Sequence, residues 1–306
     1  METVEGRTVL VTGAGGFIGS RVVKALLNGG ASVRALIGPV RGAGQVLDSP
    51  SLENVTADIS DAAAVEQITR GVHIVIHMAG PPSVADSFDH PTAFAKTHVA
   101  GTATILDCCR KAGISRFVYI SSAEVYGRPR SAVVTENHPI APRSPYAAAK
   151  AGAEHFVRAF AMNFGMPSLI LRPFSVYGAG APSCGVVRTI LRMAQFEDMV
   201  VLRDLTPVRD YCFVDDVAEA IVRSCTVLMD DIATINIGSG IGTSVGELAQ
   251  TVLRVLGRSI PIREEGKIDR PANAEIYSLV ADRTLAAELL GWQPNTDLET
   301  GIRRSL

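Results

Sequence analysis

The chain has 306 residues, 47% of them apolar, with 29 Lys and Arg against 31 Asp and Glu and a formal net charge of −2. That length supports a large core, or one big domain with a smaller companion. The near balance of charge argues against nucleic acid or an anionic membrane as a partner, and no apolar run reaches the roughly 18–20 residues that cross a bilayer.

Residues 1–5 are acidic and lack the basic-then-apolar pattern of a signal peptide. The five cysteines have no metal-like spacing. Adjacent Cys108 and Cys109 point about 100° apart on a helix and share no ligand easily. They read as reduced thiols of a cytoplasmic protein, with no metal site.

Val9 to Val11 predict a short buried strand, and a helical period restarts at Phe17 and runs to about Asn28. Between them stand glycines 13, 15, 16 and 19. A glycine turn between strand and helix lets the backbone approach a pyrophosphate, with the helix amides and dipole facing the anion. Its spacing, G-x-x-G-x-x-G, departs from the usual G-x-G-x-x-G. Ser32 to Ile37 predict a second strand, completing a βαβ opening. Its end usually carries an acid for the adenosine ribose. Ile37 stands there, followed by Gly38-Pro39. The choice between NAD and NADP therefore stays open, with Arg34 and Arg41 the candidates to meet a 2′-phosphate.

A strand near Asn54 to Ala57 follows, then Asp58-Ile59 and a helix capped by Asp61. His73 to Met78 predict the next strand, closed by Ala79-Gly80-Pro81-Pro82. On a strand His73 and His77 lie about 13 Å apart, so they are no metal pair. A long helix from about Pro91 to Ala112 leads to a strand over Arg116 to Ser121. Such alternation predicts an α/β fold, a Rossmann-type doubly wound parallel sheet. The last strand runs into Ser121-Ser122-Ala123-Glu124-Val125-Tyr126-Gly127, a polar cluster at a carboxyl end that faces the ligand crevice. Ser144-Pro145 then opens a helix that Gly165 stops, with Tyr146 and Lys150 on one face.

The glycine turn at 12–19, Ser121–Gly127 and Tyr146-x-x-x-Lys150 together resemble an extended short-chain dehydrogenase/reductase. Within that group the chain is most similar to the NAD-dependent nucleotide-sugar epimerases and dehydratases, and among them to UDP-sugar 4-epimerases. Leu171–Gly178, Val208–Asp216, Arg270-Pro271 and Leu289–Pro294 match further family motifs in order. The resemblance implies a Rossmann domain of residues 1–174 plus about 212–240. It adds a smaller C-terminal nucleotide-sugar-binding domain of about 175–211 plus 241–306. It implies NAD contacts from Gly13, Gly16, Phe17, Ile18, Gly19, Asp58, Ile59, Ala79, Gly80 and Pro173, and also from Tyr146 and Lys150. Ser122, Glu124, Ser175, Arg209 and Arg270 fall at substrate positions. The two arginines match residues that hold a nucleotide diphosphate, a task suited to a planar fork. Ser175 and His98 stand where the family usually has Asn. A homodimer through the helices from Pro91 and Ser144 is also implied, although their apolar residues Ile105, Phe156 and Phe160 serve equally as core.

A secondary alcohol is oxidised only if its hydroxyl proton also leaves, and a free tyrosine, pKa about 10, is a poor base near neutrality. A nearby ammonium favours tyrosinate. Tyr146 as base and Lys150 as its electrostatic partner meet that need, and the resemblance implies Ser122 on the reacting hydroxyl. Dehydratases of the resembled family carry an Asp-Glu pair where this chain has Ala123-Glu124, so elimination lacks a proton carrier. The expectation is an NAD-dependent 4-epimerase of a UDP-hexose or UDP-hexuronic acid working through a 4-keto sugar. The alternatives are a UDP-glucuronate decarboxylase, a 4,6-dehydratase and, outside enzymes, a catalytically silent NAD(P)-binding sensor.

Overall fold

A computed structural model describes residues 3–38, 49–183, 185–227, 232–266, 271 and 274–306. The chain opens with β1 (Thr8–Thr12), α1 (Phe17–Asn28), β2 (Ser32–Ile37), β3 (Leu52–Thr56), α2 (Ala62–Thr69) and β4 (Ile74–His77). Next come α3 (Asp86–Asp89), α4 (Pro91–Ala95), a π turn (Lys96–Gly101), α5 (Thr102–Ala112) and β5 (Arg116–Ile120). A 3-10 turn (Ala123–Tyr126) precedes α6 (Pro145–Phe164) and β6 (Ser168–Pro173). The remainder is β7 (Ser175–Tyr177), α7 (Val186–Phe196), β8 (Val200–Leu202), β9 (Val208–Phe213), α8 (Val214–Ser224) and β10 (Ala233–Ile237). It ends with β11 (Gly242–Ser244), α9 (Val245–Leu256), β12 (Ile262–Glu264), β13 (Ser278–Leu279), α10 (Thr284–Leu290) and α11 (Leu298–Arg303).

Seven parallel strands form one sheet in the order β10-β6-β5-β4-β1-β2-β3. The order reverses between β1 and β4, which opens a crevice at their carboxyl ends. Successive side chains of a strand point to opposite faces, so β1 feeds two cores. Val9 and Val11 pack with residues of α1 and α8, and Leu10 packs with residues of α2, α5 and α6. Both faces are covered by helices, as a parallel sheet requires. A smaller sheet joins β11, β9, β13 and β7, and β8 pairs with β12. Residues of α7, α9 and α11 complete its core.

Local chemistry explains the helix starts. Asp61 accepts from Ala63 N–H and Ala64 N–H ahead of α2, and Ser144 accepts from Ala147 N–H ahead of α6. Gly165 closes α6 at φ 61°, where a side chain would be strained. The helix expected over Pro91 to Ala112 is interrupted by the π turn. There the Thr102 hydroxyl donates to His98 O, and a Cβ on Gly101 would lie 2.6 Å from Ile59 Cδ1. A hydroxyl returning to the carbonyl four residues back competes with the helical ladder. The strand expected at Asn54 to Ala57 sits two residues earlier, paired with β2 from Leu52 to Thr56.

Behind α6 lies a buried ionic network. Arg172 on β6 donates to both carboxylate oxygens of Glu154, at 2.9 and 2.6 Å, and to Tyr126 Oη at 2.8 Å. Tyr126 donates in turn to Asn236 Oδ1 at 2.7 Å. Removing one partner of such a pair strands a buried charge, whereas replacing both with apolar residues is often neutral. Arg172→Met alone is therefore expected to cost about 3–5 kcal/mol in urea unfolding. The double variant Arg172→Met/Glu154→Leu is expected to recover most of that. Equal stability of the single variant and the parent would show that Glu154 keeps no charge there.

Candidate active site

The glycine turn is built by close packing. Gly13 has φ +71°, and a Cβ there would lie 3.0 Å from Ala79 Cα at the exit of β4. A Cβ on Gly19 would come within 2.2 Å of Gly13 O. Gly16 caps α1 without a side-chain hydrogen bond, and the first turn of α1 holds no acid. Its first amides are thus left for an anion. A cleft of about 670 Å³ opens above the turn.

Gly13, Gly16, Phe17, Ile18 and Gly19 line this cleft on one side. Asp58, Ile59, Ala79 and Gly80 line it from the ends of β3 and β4, and Ser122, Tyr146, Lys150 and Pro173 from β5, α6 and β6. The Asp58 carboxylate accepts from Ser60 N–H and Ser60 Oγ–H, both at 2.8 Å, and these bonds hold it below the usual carboxylate range. A glycine cradle that a Cβ would fill, an uncapped helix N-terminus and an ionised carboxylate fit a dinucleotide.

At the other end stands the reactive group. Burial pushes the Tyr146 phenol up to about 12, a hydrogen bond from Ser122 acts the other way, and the charge of Glu124 adds to the rise. Ser122 Oγ also accepts from Glu124 N–H at 3.2 Å, which fixes its rotamer at the start of the 3-10 turn. Lys150 Nζ donates to Ile120 O at 2.8 Å and stands 5.2 Å from the Tyr119 ring centre. Burial pulls this ammonium down to about 7, with Glu154 one helical turn away opposing the shift. A buried phenol and a buried ammonium thus line one cleft, two groups of the kind that exchange protons.

Of the other expected residues, none of those described lines this cleft. Glu124 and Ser175 do not line it. Arg209 donates to Glu275 Oε1 at 3.3 Å and to Val208 O at 3.1 Å. Arg270 and Arg41 fall outside the described residues. Arg34 is tied to Glu53 Oε2 at 2.6 Å and to Ile68 O and Arg70 O. It does not line the cleft, and with its guanidinium held in this way it is no 2′-phosphate partner.

Sequence reasoning undervalued two positions. Ser121, given no role of its own above, lines the cleft with a buried hydroxyl that has no hydrogen-bond partner among the described residues. His98 also lines the cleft, its ring edge-on to Tyr146 at 5.6 Å and its Nε2–H on Pro81 O at 3.1 Å. Burial, then the Lys150 charge, pull this imidazole down to about 3, so it is neutral. Its departure from Asn was visible in the sequence, but the π turn that aims it was not.

The profile of the NAD dependent epimerase/dehydratase family matches residues 9–238. A putative UDP-glucose 4-epimerase of Methanocaldococcus jannaschii is 34% identical over 302 residues, covering 97% of this chain and 96% of that one. The crystal structure of the Thermotoga maritima UDP-glucose 4-epimerase with UDP-glucose superposes with a TM-score of 0.88 at 30% identity, over 97% of both chains. MoeE5, solved with NAD and UDP-glucose or UDP-glucuronic acid, superposes with TM-scores of 0.86 and 0.88 at 29% identity, over 97% of both chains.

Gly19→Ala tests the cradle, because the added carbon must displace Gly13 O. The purified variant is expected to retain at least about tenfold less dinucleotide, a loss set by misplacing the turn. Parental retention, measured on nucleotide released by denaturation, would mean that the turn does not hold the cofactor.

Proposed function

The chain belongs to the NAD-dependent epimerase/dehydratase family, and we propose that it is a nucleotide-sugar 4-epimerase acting on a UDP-hexose or UDP-hexuronic acid. One observation carries the reading: Ser122, Tyr146 and Lys150 converge on one cleft while buried Ala123 takes the place of a second acid. Epimerisation at C4 needs one group to take the hydroxyl proton and give it back, since oxidation and reduction use the same site in reverse. Tyr146 is that group. Lys150 supplies positive charge beside the phenol, and Ser122 orients the hydroxyl. NAD, when bound, supplies the oxidising and reducing equivalents, so none is consumed overall. Ala79 and Gly80 would hold it beside the glycine turn, and Lys150 would bond its nicotinamide ribose. Preference for NAD over NADP is part of the reading, since Lys150 is the one cation among the described cleft residues. Arg209 and Arg270 are assigned to the diphosphate on the family match alone, and so are Ser175 and Glu124, which do not line the cleft, to the sugar.

A second reading, UDP-glucuronate decarboxylation or 4,6-dehydration, is favoured by Glu124, whose charge reaches the Tyr146 phenol. Product mass separates them. An unchanged mass means an epimer, loss of CO₂ a decarboxylase, and loss of water a dehydratase. The proposal includes a homodimer through α4, α5 and α6, supported by the exposed Phe156 and Met162 of α6. Ile105 is fully buried and Phe160 packs on the core, so neither serves that face. Sedimentation as a monomer at micromolar concentration would overturn the dimer.

Tyr146→Phe is expected to keep the fold and the bound nucleotide while kcat falls by about 10²–10⁴-fold, the usual worth of a general base. A variant keeping more than about half of kcat removes Tyr146 from that role. Glu124→Gln keeps shape and hydrogen bonding, and is expected to cost about tenfold or less, below the worth of a general base. A loss beyond about a thousandfold with nucleotide still bound would replace the 4-epimerase reading with the carboxylate-assisted one.

A further inference from the structure

Beneath the cleft runs a buried chain of hydrogen bonds whose directions are fixed by counting donors. Thr12 Oγ1, at the end of β1, accepts from Met78 N–H and Ala79 N–H, both at 3.1 Å. A hydroxyl has two lone pairs and one hydrogen, so Thr12 must donate its hydrogen to His77 Nδ1, 2.7 Å away. His77 therefore carries its proton on Nε2, which donates to Thr102 Oγ1 at 3.0 Å. Thr102 in turn donates to His98 O inside the π turn. Each polar atom of the chain is used, and His77 is 1% exposed. A second proton on His77 would face a Thr12 oxygen with no lone pair left, so the imidazole stays neutral.

The two ends of the chain serve different parts of the cleft. At the Thr12 end, β1 and β4 are held side by side, and Gly13 packs on Ala79. At the other end, the fixed carbonyl sets the π turn so that the His98 ring lies under Gly80, where a Cβ would come within 2.2 Å of Cε1. The same ring supports Tyr146 edge-on. His77 also packs against Tyr119, over whose face Lys150 sits.

We propose that His77 is a positioning residue that couples the dinucleotide cradle to the support of Tyr146. The inference rests on the reading of Tyr146 as the base. It touches neither sugar nor cofactor and acts through Thr12 and Thr102.

Two partial replacements separate the arms. His77→Asn places Oδ1 where Nδ1 accepts from Thr12 but cannot reach Thr102. His77→Gln places an Nε2–H on Thr102 but leaves Thr12 without its acceptor. His77→Phe removes both. Nucleotide content of the purified full chain, kcat and KM for UDP-glucose at saturating NAD, and Tm are measured for each. For Asn, content within about twofold of the parent and a kcat loss of about tenfold or more are expected. For Gln, content about fivefold lower and kcat within about threefold are expected, the scale of one lost hydrogen bond. For Phe, both quantities fall. A lower Tm with content and kcat within about twofold in all three would reduce His77 to a structural residue and overturn the inference. Parallel loss of both quantities in Asn and Gln would also overturn it. Tyr146→Phe assayed alongside keeps the two proposals distinct. If that variant is active, the base assignment fails, while nucleotide content still reports on the Thr12 arm.

Discussion

The ion pair of Arg172 with Glu154 decides where α6 lies, and α6 carries both Tyr146 and Lys150. Arg172 is 1% exposed and Glu154 fully buried. Charges taken out of water at that depth persist only when every donor and acceptor finds a partner. Arg172 does so by reaching Glu154 on the helix, Tyr126 beyond β5 and Glu136 O in the following loop. Tyr126 and Glu136 then engage Asn236 of β10. A shift of α6 along the sheet would break several of these bonds together. The phenol is thereby held beside Ser122 and the ammonium against Ile120 O.

The pair also sets the electrostatics of the site. Glu154 lies one turn beyond Lys150, and an unshared carboxylate there would favour the ammonium strongly. With Arg172 donating to both of its oxygens, the charge is largely spent, and desolvation of Lys150 prevails. Burial therefore loosens the Lys150 proton relative to that of an ordinary ammonium. A group in that condition responds to charge that develops beside it, which is what a tyrosine exchanging its proton produces.

Features governed by backbone were legible in the sequence. Glycines 13, 16 and 19 gave away the turn because their function is the absence of a side chain, and α1 and β2 begin and end where composition placed them. Ser144-Pro145 and Gly165 bounded α6 through capping, a local effect. The π turn stayed hidden because it depends on a hydroxyl reaching back one turn and on Ile59 packing against Gly101, contacts that no period reveals. Arg34 misled for a related reason. A cation near the ribose end of a strand looks like an anion partner until Glu53 on the neighbouring strand is seen to take it.

That division reaches into the chemistry. The diphosphate of a dinucleotide meets backbone amides at the start of α1, so its recognition is written in glycine spacing and survives variation of side chains. The sugar end is different, because Arg209 is engaged with Glu275 across two elements distant in sequence. Under the proposed diphosphate role, an arginine fork that already holds a carboxylate would have to exchange it for phosphate oxygens. Exchange of one anion for another costs little net charge but demands that Glu275 find a new partner or remain near the anion it yielded to. If Arg209 does take part in substrate binding, as proposed, that contact rests on a side-chain pair, whereas the glycine turn that lines the cleft presents backbone.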